Sequence, residues 1–181
     1  MACPIQLSFT LDCKDSKGGI KEVYFAVFPS NGLSYSPTIA SGNITAWASA
    51  SSKFFKYEVR TAVATGGDKA TISNTAGTAF WASALGLQLE KMSAATVQEL
   101  KNLMGNRLLA IVLDRNGKYW LMGYENGMDV TEISGEFGTA LGDFNGYKIA
   151  LTSAESNPTY EVSSYIIAAL KAYKIKVCIK P

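Results

Sequence analysis

Residues Arg107 to Gly123 read RLLAIVLDRNGKYWLMG, and this stretch decides the fold. Leu108 to Leu113 is an unbroken apolar run bounded by Arg107 and Asp114. A short continuous run between polar ends fits a buried strand. Arg115-Asn116-Gly117 follows, and Asn-Gly is the strongest short hairpin signal because both residues tolerate positive φ. Lys118 to Gly123 then returns as the partner strand.

The same grammar extends toward the C-terminus. A second Asn-Gly, Asn126-Gly127, precedes an expected strand Met128 to Ile133. A glycine-rich connection, Gly135 to Gly146, leads to Tyr147 to Ala154. There Tyr147, Ile149 and Leu151 alternate with Lys148, Ala150 and Thr152, which marks a strand buried on one face. Pro158 ends it, and Ser163 to Ile179 reads as a short helix followed by a strand.

Toward the N-terminus stands one marked helix. Ser93 is its N-cap, Val97, Leu100 and Met104 form an apolar stripe with Leu103 beside it, and Gly105 supplies a left-handed stop. Lys53 to Val63 and Thr78 to Leu89 read as two long antiparallel strands, joined by a mobile polar loop, Ala64 to Gly77. Ile44 to Trp47 and Ile20 to Phe28 read as strands, with Pro29, Asn31-Gly32 and Pro37 in the loop between. Gly18-Gly19 breaks the chain before them. In Met1 to Asp15, Ile5, Leu7, Phe9 and Leu11 alternate with polar residues, as in an extended arm. No linker or repeat divides the 181 residues. The expectation is one mainly β domain over 1–181, with 1–17 as an N-terminal arm. Its architecture is a β-sandwich or barrel with one flanking α-helix and a long hairpin loop.

Composition restricts the chemistry. Hydrophobic residues make up 48% and charged residues 18%, which fits surface buried in an obligate assembly and equally a β domain with a Ser/Thr/Ala/Gly surface. The net charge of +2 and the lack of a basic run do not call for nucleic acid as a bound partner. Lys171, Lys174, Lys176 and Lys180 are spaced by apolar residues, as on a solvated face. Cys3, Cys13 and Cys178 are too few and odd in number for a disulfide framework, so reduced thiols are expected. No basic stretch followed by an apolar run marks a signal peptide, and Tyr165 to Leu170 is too short to span a bilayer.

Histidine is absent, so neither a Ser-His-Asp nor a Cys-His arrangement is available, and a zinc site would lack its fourth N/S ligand. Gly135, Gly138 and Gly142 form a loose cluster, but a strand follows where a phosphate loop needs a helix. Glu125, Asp129, Glu132 and Glu136 cluster in sequence. A glycosidase pair needs two opposed carboxylates across a cleft, and a calcium loop needs denser oxygen ligands, so a plain acidic face is the simpler reading. Phe54, Phe55, Tyr57, Phe80, Trp81, Tyr119 and Trp120 lie among charges without the basic groove of a single-strand nucleic-acid platform.

Three stretches, Leu11 to Tyr24 (LDCKDSKGGIKEVY), Asn116 to Thr131 (NGKYWLMGYENGMDVT) and Gly138 to Val162 (GTALGDFNGYKIALTSAESNPTYEV), occur in an order that resembles a family of virion proteins from tailed phages and prophages of gut bacteria, including crAss-like phages. Within that family the chain is most similar to tail-tube-like proteins. The resemblance implies a non-enzymatic structural subunit of the virion tail, made in the host bacterial cytoplasm, without cofactor or metal. It implies a homo-oligomeric ring, sixfold or a multiple, stacked in a tail tube or placed at the head-tail junction. Such a ring would contact neighbouring tail or portal-proximal proteins and no membrane, and would pass DNA without sequence-specific binding. A capsid decoration or fibre-base protein and a carbohydrate-binding β-sandwich module are the alternatives. In this reading Thr65, Gly66, Asp68, Lys69, Thr71 and Asn74 belong to an inter-subunit loop. Glu125, Asp129, Glu132 and Glu136 are candidates for the channel wall. Period two cannot put all four on one face, so a subset around Asp129 is expected there.

Overall fold

The computed structural model describes residues 14–29, 37–47, 54–60, 63–164 and 166–167. The expected arm up to residue 13, the three cysteines and the C-terminal lysines lie outside them. So does the strand expected at the end of Ser163 to Ile179. Two sheets form a sandwich. Seven strands make the larger sheet: β1 (Ile20–Val27), β2 (Pro37–Ala40), β3 (Asn43–Trp47), β4 (Phe55–Glu58), β7 (Leu108–Asp114), β8 (Tyr119–Met122) and β11 (Tyr160–Val162). Their order is β2-β3-β11-β8-β7-β1-β4. The smaller sheet has the order β5-β6-β10-β9, with β5 at Thr65–Ser73, β6 at Thr78–Glu90, β9 at Asp129–Glu136 and β10 at Gly146–Glu155. Every described pair is antiparallel except β11 on β3. The mainly β sandwich with a flanking helix, α1 (Ala94–Met104), is as expected.

β7 explains its own sequence. Leu108, Ala110 and Val112 enter the core between the sheets, with Val23 and Phe25 of β1, Leu85 and Leu87 of β6, and Ile149 and Leu151 of β10. Leu109 and Ile111 enter a second core on the opposite face, with Tyr24, Ile44, Leu121, Val162, Ile166 and Ile167. A strand buried on both faces has no polar position, hence the continuous run. Its hairpin to β8 is a three-residue turn in which only Gly117 has positive φ, +84°. The Asp114 carboxylate accepts from the Asn116 and Lys118 amides, both at 2.8 Å, and from the Trp120 indole at 3.2 Å. Partial burial pushes this carboxyl up, but the donors outweigh it and hold it below the usual carboxylate range.

Two expectations are corrected. Lys53 to Val63 and Thr78 to Leu89 do not pair: β4 pairs with β1, while β6 lies between β5 and β10. The expected loop Ala64 to Gly77 is mostly strand β5, in register with β6 from Thr65↔Gly86 to Ser73↔Thr78, and only residues 74–77 turn. Its glycines suggested a loop, but Gly66 marks close approach. A Cβ there would meet Ile20 Cδ1 at 3.1 Å and Leu85 Cδ1 at 3.3 Å.

The helix is also corrected in detail. Ser93 does cap it, its Oγ accepting from the Thr96 amide at 3.2 Å. However, Leu100 and Leu103 are the buried pair, and Val97 and Met104 are exposed. Gly105 is right-handed at φ −82°. The helix end is held instead by the Gly105 amide donating to the Lys101 carbonyl and by Asn106 Nδ2 donating to the Asn102 carbonyl. The expected connection Gly135 to Gly146 is shorter, because β9 runs through Glu136 and β10 starts at Gly146.

Candidate functional site

The smaller sheet has one face in the core and one facing out. Leu85, Leu87, Ile149 and Leu151 point inward. The alternate positions, Ala82, Ala84 and Gly86 on β6 and Ala150, Thr152 and Ala154 on β10, therefore point outward. These residues are exposed or half-buried and belong to neither core. The centre of this face is a patch of small residues, around which Phe80, Gln88, Lys148 and Lys69 also point outward.

β9 borders this surface, and a bulge decides which of its side chains reach it. Glu136, Ser134 and Glu132 lie opposite Gly146, Lys148 and Ala150 of β10. The register then slips: Val130 faces Leu151 and Asp129 faces Thr152. Thr131 is the extra residue, and its hydroxyl donates to the Ala150 carbonyl at 3.2 Å. Without the slip, Asp129 and Glu132, three apart, would lie on opposite faces. With it, Asp129, Glu132 and Glu136 share the outer face, while Val130 and Ile133 pack on the core.

Glu125 is not with them. It sits in the turn before β9, where Oε2 accepts from the Ser156 amide at 2.9 Å. Its own amide donates to Glu155 Oε2 at 2.7 Å, so the Glu155 carboxylate holds the Glu125 turn while the Glu125 carboxylate holds the residue after Glu155. Glu155 is 5% exposed. Burial pushes its carboxyl up, against the lowering by the Glu125 and Asn126 amides.

The acidic row is open. Asp129 meets Arg107 Nε at 3.6 Å, Glu136 meets Lys148 Nζ at 2.6 Å, and Glu132 has no ion pair among the described residues. Both members of each pair are well exposed, so each pair contributes little, about 0–1 kcal/mol. The six residues expected in an inter-subunit loop divide across β5. Thr65, Lys69 and Thr71 lie opposite outward positions of β6, Gly66 and Asp68 opposite inward ones, and Asn74 is in the turn. Asp68 is an internal tie: it accepts from the amide at 2.7 Å and also from the hydroxyl of Thr159, just before β11. Among the described residues, no three Cys, Asp or Glu groups are placed to hold a metal ion.

Comparison with family models, curated proteins and solved structures finds no match. The site therefore rests on its own geometry. The small-residue outer face could have been read from the alternation in Thr78 to Leu89 and Tyr147 to Ala154. The alignment of three carboxylates could not, because the bulge exists only in the ladder with β10.

Proposed function

We propose that the chain is a structural subunit of a phage virion, one of a closed ring of identical copies in the tail tube or at the head-tail junction, whose wall DNA slides past. The observation that carries this reading is the bulge-aligned row Asp129, Glu132 and Glu136 beside a patch of Ala, Gly and Thr residues. A sliding wall needs few side chains that interlock with the passing polymer and few cations that hold phosphate. Repeated around a ring, even one unpaired carboxylate per subunit gives a negative girdle whose field the channel walls focus. Both borders of the smaller sheet, β5 and β9, lack a partner strand among the described residues. Exposed Lys69 lies on β5 and the carboxylates on β9. Head-to-tail contact between such unlike borders closes a ring when the rotation per copy divides a full turn.

The test is electron microscopy of the purified protein in negative stain. Closed rings or short tubes of uniform diameter are expected. A monodisperse monomer at every concentration up to the solubility limit would overturn the reading and favour a decoration or carbohydrate-binding module.

A further inference from the structure

The larger sheet ends at β4, which has β1 on one side and no strand on the other among the described residues. Beside this edge runs a groove of about 1020 Å³, with Phe25, Val27, Phe55, Tyr57, Val59 and Leu103 of α1 among its apolar walls and Arg60, Gln88, Glu90 and Glu99 among its polar ones. Val27 and Phe55 are 53% and 42% exposed, unusual for large apolar side chains around one groove. The Tyr57 hydroxyl donates to Glu99 of α1 at 2.8 Å and bridges its two walls.

The sequence contains a segment of complementary chemistry. Residues 4–11, PIQLSFTL, have no charge and place Ile5, Leu7, Phe9 and Leu11 on one face. Eight extended residues span roughly 26 Å, enough to follow the edge from Phe55 to Arg60, about 20 Å. Such a strand gains backbone hydrogen bonds from an open sheet edge and seats alternate side chains in the adjoining groove.

The chain's own path leads away from that groove. The Lys17 amide donates to Asn116 Oδ1 at 2.7 Å, and the Gly19 carbonyl accepts from the Arg115 amide at 3.1 Å. Those residues belong to the β7–β8 turn, on the opposite side of β1 from β4. We infer that the groove receives residues 4–11 of a second copy of this chain, added as a strand to the β4 edge. The inference rests on the self-assembly in the reading above, and goes beyond it by naming a second joint, on the larger sheet.

The test mixes two full-length proteins, both carrying Cys3→Ser, Cys13→Ser and Cys178→Ser. One also carries Ser8→Cys, on the polar face of the segment. The other carries Glu58→Cys, whose side chain is 78% exposed. A short bismaleimide should yield a cross-linked heterodimer containing one of each. Adding Leu7→Asp and Phe9→Asp should lower its yield about tenfold or more, because the charges would replace the apolar side chains that pack on Phe25, Phe55 and Leu103. Circular dichroism checks that these variants stay folded. Absence of the heterodimer overturns the inference. So does an efficient cross-link within one chain when Ser8→Cys and Glu58→Cys are combined and diluted. Rings without the heterodimer sink this joint and leave the ring reading standing. The heterodimer without rings does the reverse.

Discussion

Glu155 shows how one residue's surroundings set a measurable property of the fold. It lies buried at the end of β10, and burial raises its carboxyl above the usual value near 4.5. The folded state therefore holds this proton more tightly than the unfolded chain. The associated stability is fully present below about pH 4.5 and is lost as pH rises through the folded value. Glu155→Gln keeps an oxygen to accept from the Glu125 amide and removes the titration. The variant should match the wild type in melting temperature near pH 4 and exceed it as pH rises toward 8, by a gap that levels off above the folded value. Thermal denaturation across that range checks this, and a gap that shrinks with rising pH would contradict it. Nothing local in the sequence marks Glu155. Its distinction comes from a turn 30 residues earlier folding over it. By contrast, Ser93 was legible as a cap because capping depends only on the next three residues. Gly105 misled because a helix end can also be closed by a side chain, here Asn106.

At the scale of elements, local pattern identified strands well and their partners poorly. β7, β8 and β10 were legible because the alternation, or its absence, reflects how many faces are buried. β5 was not, because an edge strand with one open face tolerates polar residues and glycine. The placement of β4 beside β1 depends on pairings such as Phe25↔Phe55 and Glu22↔Glu58, too far apart for any short window of sequence. The strand assignment of β5 makes a direct prediction. Amides of Thr65 to Ser73 that bond to β6 should exchange with deuterium at least about tenfold more slowly than those of residues 137–145, which lie outside any strand. Hydrogen-exchange mass spectrometry decides it. Equal, fast exchange in both segments would return Ala64 to Gly77 to a mobile loop.

For the whole molecule, the two cores cover both faces of the larger sheet around β1 and β7, while the smaller sheet has one core face and one open face. The sandwich class and the small-residue outer positions of β6 and β10 were legible in composition and periodicity; which carboxylates would share that face was not. The bulge at Thr131 converts a sequence cluster into a spatial row of Asp129, Glu132 and Glu136, and Glu125 is spent on holding a turn. The central claim is that this face is the channel wall of a ring. A cryo-electron microscopy reconstruction of the assembled ring, at a resolution that shows side chains, tests it most directly. The account predicts the smaller sheet facing the channel, with Asp129, Glu132 and Glu136 along its lining. Those carboxylates on the outer circumference, with lysines lining the channel, would contradict it.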